Sequence, residues 1–415
     1  MIYSLLLKSI GPFVVNRTSI SPGGNPVDEM PVVRPVTCRP QPASTNPTAK
    51  TSRPIDRSIL TSRALSGLTT IGIASVSAWL LALSLPKTGI AALAPFGACG
   101  LFWAWSRLSW KRAFWLGWFA GGVCTAFYFS WIAHTVGAFL GSFGFVVVVG
   151  PALIEGFWYG IAGLLAALAY RRLGPAVAPL AAAAAFTLGE WLRSIGEMAA
   201  PFGQLGYTQV ETPLAPLGAF VGSYGITFAI CVVGAYLAAA ITLRSAGAVR
   251  ALALSWIVVA IAAALAWSAW PARHAAAPTM RVAAIQADIP QTIKWSAPAQ
   301  ALAIDRYTSM TRQVQSYHPQ LVVWPESVIP TLLNQHGDLA LRFARLAHAM
   351  DTTLVVGTND LYANVPYNDL YVYEPSGALE GIYQKRQLVP FAEHLPAAWL
   401  ASIPYTDLVA NYGEG

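Results

Sequence analysis

Between residues 64 and 270 the sequence passes through seven apolar segments, at about 64–85, 88–106, 113–133, 143–170, 175–195, 216–243 and 251–270. Several reach the roughly 20 residues that an α-helix needs to cross a hydrocarbon core. Composition agrees: 55% of the 415 residues are hydrophobic and 11% are charged, against roughly 25% charged in soluble proteins. The segments predict a polytopic α-helical membrane domain of about seven spans.

Charge sets the expected orientation. The net charge is +7, and residues 1–63 hold eight Lys/Arg against three Asp/Glu, which leaves the remainder nearly balanced. The basic excess therefore reads as a flank of the first span rather than as a nucleic-acid surface. Arg107, Lys111, Arg112, Arg171, Arg172, Arg244 and Arg250 follow spans two, four and six, whereas the opposite loops carry little beyond Lys87. By the positive-inside rule the N-terminus is cytoplasmic, and seven crossings place everything after Trp270 outside. In a bacterium that is the periplasmic face of the inner membrane. Residues 1–63 themselves are rich in Pro, Ser, Thr and Arg and predict a mostly disordered cytoplasmic tail. Lys8 interrupts the apolar start and no clean small-residue cleavage site follows, which argues against a signal peptide.

Three charges fall within or at the ends of spans: Glu155, Glu190 and Arg193. Glu190 and Arg193 are three apart on one helical face and can neutralise each other. Two readings stay open for them, a pair that fixes helix packing and a pair that lines a substrate cavity. The outer loop APFGQLGYTQ, 200–209, suits a compact interfacial turn. Cys99, Cys124 and Cys231 lie in apolar runs and Cys38 in the tail; their spacing predicts neither a metal site nor a redox pair.

After Pro278 the hydropathy falls and the period changes. Residues 280–285, 321–324, 353–357 and 369–374 read as strands, and 297–317 and 339–350 as helices, so an α/β layered domain is expected over 279–415. Two stretches carry its chemistry. VVWPESVIP, 322–330, ends a buried strand at a proline and delivers Glu326 to the strand's end. YQKRQLVPFAEHLP, 383–396, brings Lys385 and Glu393 beside an apolar run. A carboxylate at a buried strand end is expected to be desolvated and raised in pKa, which suits general base work. Lys385 can stabilise an oxyanion or pair with a carboxylate. Spacing alone also allows a turn carboxylate and a solvated lysine.

Four stretches resemble a known family: APFGQLGYTQ, QADIPQTIKW at 286–295, VVWPESVIP and YQKRQLVPFAEHLP. The outer domain is similar to the nitrilase, or carbon–nitrogen hydrolase, superfamily. Residues 64–415 resemble its membrane-bound branch, the apolipoprotein N-acyltransferases. The resemblance implies an αββα sandwich, partial here, in an extracytoplasmic position. It implies Glu326 and Lys385 as catalytic residues, Glu393 as the supporting carboxylate and Trp295 at the mouth of the site. It further implies a cysteine nucleophile, membrane phospholipid as acyl donor, the N-terminal cysteine amine of a lipoprotein as acceptor, and no cofactor or metal. In that family the nucleophilic cysteine lies on a strand after the Lys/Glu box; this sequence ends at Gly415 before it, so the expected domain is incomplete and lacks that thiol. TraB-type conjugal-transfer proteins resemble the same family. A membrane component of a conjugation apparatus is therefore the alternative, beside an inactive remnant.

Overall fold

The computed structural model describes residues 57–86, 88–140, 145–199, 201–274, 279–290, 293–294, 296–397, 401–402 and 411–415. The expected disordered tail falls outside them up to residue 56, as do Cys38, Lys87 and Trp295.

Eight helices form the first half of the described chain: α1 (Arg57–Ser84), α2 (Ala94–Arg107), α3 (Trp110–Tyr128), α4 (Ser130–Leu140), α5 (Val146–Arg172), α6 (Ala178–Leu192), α7 (Gly218–Leu243) and α8 (Ala246–His274). Helix α1 starts at Arg57, ahead of the boundary expected at 64. Among the described residues four stretches are long and apolar enough to cross a membrane: Gly67–Ser84, Val147–Arg172, Ala215–Leu243 and Ala246–Ala269. These fall in four of the seven expected segments; the other three hold shorter or broken helices. The 14 residues of α2 and the 15 of α6 rise only about 21–23 Å at 1.5 Å per residue, short of a 30 Å core. The third expected segment breaks at Phe129, between α3 and α4. Helices α2, α3 and α6 contribute Phe102, Trp105, Ala113, Ala120 and Phe186 to the buried interior of the bundle. Glycines let α3 and α5 meet backbone to backbone. A Cβ at Gly117 would strike the Tyr159 carbonyl, and one at Gly156 the Trp118 carbonyl.

The three charges of the bundle meet at its centre. Arg193 Nη1 donates to Glu155 Oε2 at 2.5 Å and to the Phe202 carbonyl at 2.7 Å, while Arg193 Nη2 lies 3.8 Å from Glu190. The main partner of Arg193 is therefore Glu155, 38 positions away, rather than Glu190 on its own face. Glu190 accepts from the Leu205 amide at 2.8 Å and from the Thr227 hydroxyl at 2.7 Å. Gln204 bonds Tyr224 and Ser223. The outer loop is thereby bolted to α5, α6 and α7, which is more than interfacial anchoring. Acids and bases are otherwise segregated. Over residues 57–274 the acids are Glu155, Glu190, Glu197 and Glu211, and the basic clusters sit at the end of α2, the start of α3 and the ends of α5 and α7.

The second half is one mixed six-stranded sheet with two helices. Its strands are β1 (Val282–Ala284), β2 (Leu321–Val323), β3 (Ile329–Leu332), β4 (Thr353–Tyr362), β5 (Val365–Tyr373) and β6 (Leu379–Gln384); its helices are α9 (Ala297–Gln313) and α10 (Gly337–Met350). The order is β1-β2-β4-β5-β6, with β3 also on β4. β1, β2 and β4 run parallel, and β4, β5 and β6 antiparallel. Strands β3 and β6 were not anticipated, and β4 extends five residues beyond its expected end. Helix α9 starts at Ser296, whose side chain accepts from the Ala299 amide, with proline in the first turn. Both helices cover one face, burying Tyr307, Phe343 and Leu346 against Val322, Trp324, Leu354 and Val356. The Trp324 indole donates to Thr311 at 2.9 Å, so this large side chain leaves no orphan donor in the core. The opposite face carries Leu321, Val323, Val355, Leu370 and Val372, all half-buried. The described residues thus supply one helix layer and one sheet of the expected sandwich.

A buried acid pair closes the helix-covered face at the far end of β4. Asp360 accepts from the Asn334 amide at 2.8 Å and from the hydroxyls of Tyr362 and Tyr371. Burial, and then the Asp360 charge, push the Asp369 carboxyl up to about 6. The folded protein therefore holds a proton that the unfolded chain releases between about pH 4 and 6, and stability falls as pH rises through that window. Asp369→Asn is expected to raise stability by about 2 kcal/mol at pH 7.5 and to change little at pH 4. Thermal unfolding at both pH values checks this; equal gains at the two would refute the assignment.

Candidate active site

Glu326 stands just beyond β2. Trp324 continues the pairing of that strand through its amide to the Val355 carbonyl, and Pro325 then ends it. Ser327 takes a left-handed conformation (φ 49°), which turns the chain sharply and leaves the Glu326 side chain at the sheet end. The Ser327 hydroxyl bonds Asn359 at 3.0 Å and Asn368 at 3.3 Å, on β4 and β5. Gly357 makes room for this turn: a Cβ there would collide with the Pro325 carbonyl and press on the Glu326 backbone. Gly357→Ala is expected to destabilise by about 1–3 kcal/mol and to displace Glu326. Thermal unfolding measures the first effect and the Glu326–Lys385 distance in a structure of the variant the second; a variant unchanged in both would show that the turn has slack.

Lys385 leaves β6 with its amide bonded to the Asn368 carbonyl at 2.9 Å. Its ammonium donates to Glu326 Oε1 at 2.9 Å and to Glu393 Oε1 at 2.8 Å. Glu393 closes a tight turn in which its Oε2 accepts from the Val389 amide at 2.7 Å and Phe391 is left-handed (φ 63°). Asn368 Nδ2 donates to Glu326 through a short hydrogen bond. The three residues singled out in the sequence are thus brought together, from positions up to 67 apart. The Glu326 side chain is 57% exposed, Lys385 24% and Glu393 15%, so Glu326 is the member that a substrate reaches first.

The electrostatics correct one expectation. Burial does act to raise Glu326, but hydrogen bonds from Lys385 and Asn368 and the charges of Lys385 and Lys294 outweigh it. The carboxyl is held below its ordinary value rather than raised. Burial likewise acts to lower Lys385, and its bonds to Glu393 and Glu326 overcome this and hold it above the usual lysine value. At neutral pH the trio is two carboxylates sharing one ammonium. Sequence reasoning missed Asn368 and Lys294. The burial that lowers Lys294 is partly offset by the Glu326 charge. Its only signal in the sequence is its place in the QADIPQTIKW stretch.

Two further contacts frame the site. The Tyr412 amide donates to the Glu393 carbonyl at 2.7 Å, and the Gly415 amide to the Lys385 carbonyl at 3.1 Å. His394 Nε2 lies 3.6 Å from Glu197, just beyond the end of α6, so the Glu393 turn adjoins the helical half.

Residues 77–236 match the family described as the apolipoprotein N-acyltransferase N-terminal domain, and residues 281–404 match carbon–nitrogen hydrolase. The chain is similar to the apolipoprotein N-acyltransferases over most of its length. Its relatives include the apolipoprotein N-acyltransferase of Methylococcus capsulatus, 29% identical over 335 residues that cover 76% of this chain and 63% of that protein. That of Geobacter metallireducens is 29% identical over 82% of this chain and 68% of that protein. That of Caulobacter vibrioides is 30% identical over 69% and 56%. The chain spans a little under two thirds of the Methylococcus protein. These relatives carry the acyltransferase name, so the conjugal-transfer alternative is not favoured. Bacterial relatives, and four helices long and apolar enough to cross a membrane, make this a bacterial membrane protein.

Proposed function

We propose that the chain serves the N-acylation of lipoproteins, moving an acyl chain from a membrane phospholipid to the amine of a lipoprotein's N-terminal cysteine. The observation that carries this reading is the Lys385 ammonium held between Glu326 and Glu393, in a chain whose relatives are named for that reaction. Glu326 is the base. It takes the proton of the attacking thiol, the sulfur adds to the ester carbonyl, and the lysophospholipid departs with that proton to leave a thioester. The acceptor amine then displaces the thiol. Lys385, released from Glu326 as that carboxylate is protonated, stabilises the tetrahedral oxyanion at each step. Glu393 keeps the ammonium aimed; the role at the mouth of the site that the resemblance implies for Trp295 falls on a residue outside the described ones. Cys99, Cys124 and Cys231 are buried in the helical bundle, so the attacking thiol is none of these three.

The charge bias supports a cytoplasmic N-terminus, a bundle over about 64–270 in the inner membrane and a periplasmic domain over 279–415. Both substrates are lipid-embedded, which accounts for mounting the α/β part on a membrane bundle. The test is to silence the gene and weigh the N-terminal lipopeptides of the cell's lipoproteins. The expected result is loss of the mass of one acyl chain. Unchanged masses would remove the reading.

A further inference from the structure

We propose that the basic end of the helical bundle holds a binding site for the phosphate of an anionic phospholipid, separate from the Glu326 site. A cavity of about 240 Å³ opens there among α2, α5, α6 and α7, lined by Arg107, Tyr170, Leu173, Pro179 and Thr242. Arg107 lies at the exposed end of α2 with its guanidinium carbon 4.3 Å from the centre of the Trp103 ring. An arginine stacked by its face keeps its in-plane N–H groups pointing outward, the geometry that grips a phosphate with two hydrogen bonds. Arg107 makes no ion pair among the described residues.

Two independent features point to an anion. The Tyr170 hydroxyl is buried without a hydrogen-bond partner among the described residues, a cost that an acceptor oxygen in the adjoining cavity would remove. The α6 N-terminus, Ala178–Pro179, also lines the cavity, with no acidic residue in its first turn; the Ala178 amide donates to the Gly174 carbonyl and proline has no N–H, so it acts there through its dipole alone. Its partial positive charge favours an anion. No acid lies at this end of the bundle among residues 57–274, whose four acids are Glu155, Glu190, Glu197 and Glu211. Apart from Ser106, whose hydroxyl donates to the Trp103 carbonyl at 2.8 Å, the rest of the lining is apolar, which suits an ester group entering from the bilayer better than a free ion. Topological charge bias alone would scatter arginines around the rim, as with Arg171, Arg172 and Arg244. It does not account for an arginine that lines a cavity beside an unsatisfied hydroxyl.

The test uses purified full-length protein in detergent, given phosphatidylglycerol, cardiolipin and phosphatidylethanolamine in equal amounts, with bound lipid read by native mass spectrometry. The anionic lipids are expected to be retained over phosphatidylethanolamine. Arg107→Gln is expected to lower anionic retention about fivefold and leave phosphatidylethanolamine unchanged, and Arg107→Lys to keep most of the retention. Arg172→Gln, a basic residue outside the cavity, is expected to change neither. Three outcomes would overturn the proposal: no anionic preference in the wild type, equal losses in Arg107→Gln and Arg172→Gln, or full displacement of the lipid by millimolar inorganic phosphate.

Discussion

Glu326→Gln is expected to cut acyl transfer by about 10²–10⁴-fold, the usual worth of a general base, while the protein unfolds close to its normal temperature. The amide oxygen still accepts from Lys385 and Asn368, so the turn and its partners keep their places and only the proton acceptor is lost. Transfer to a synthetic lipopeptide, assayed in membranes from cells carrying the intact gene, measures the rate; thermal unfolding measures the fold. A variant that transfers normally would show that Glu326 is a turn carboxylate and no more. The pH dependence has a definite sign. Because Glu326 is held below the ordinary carboxylate value, the trio's ion pairing is complete above that value and fades as pH falls through the lowered pKa. Activity that rises only well above the ordinary carboxylate range would contradict the pairing with Lys385.

The largest loss of stability is expected from Arg193→Leu. Arg193 is 4% exposed and Glu155 and Glu190 2% each, so removing the guanidinium leaves two buried carboxylates with no cation. Breaking a buried ion pair from one side costs about 3–5 kcal/mol. The same change frees the Phe202 carbonyl and loosens the outer loop. Unfolding in detergent should show the drop, and wild-type melting by Arg193→Leu would mean that water already reaches the cluster. Neutralising all three positions together, with Glu155→Gln and Glu190→Gln added, should recover much of the loss, since the penalty lies in the uncompensated charge rather than in the missing contact.

These two clusters were not equally legible in the sequence. That the bundle is apolar, and that strands and helices follow it, is written in local periodicity. Which helices are long enough to span is not, because an apolar segment broken at Phe129 looks continuous on paper. Strand β3 contains Pro330, which argues against a strand, and it survives by pairing along one side only, with β4. Strand β6 leaves Leu379, Ile382 and Tyr383 exposed, so it lacks the alternation that marks a half-buried strand. The pairing of Arg193 with Glu190 was visible on one helical face, whereas its nearer partner Glu155 was hidden 38 positions away. At the active site the motifs brought out Glu326, Lys385 and Glu393 through resemblance, where spacing alone allowed a plain turn. The downward shift of Glu326 comes first from the Lys385 hydrogen bond and next from that of Asn368, 42 positions away on a strand that only the folded sheet brings near.

The segregation of charge along the bundle has an electrical consequence. In the orientation proposed above, with the basic end facing the cytoplasm, Arg107, Lys111, Arg112, Arg171, Arg172, Arg244 and Arg250 would all sit on the negative side of an energised membrane. Turning the bundle over would carry each of them against the field, at about 2.3 kcal/mol per charge for every 100 mV. The inverted protein is then disfavoured by work drawn from the cell's own voltage, beyond anything its packing supplies. A cell that loses its membrane potential during synthesis would lose that bias before a single helix contact had changed.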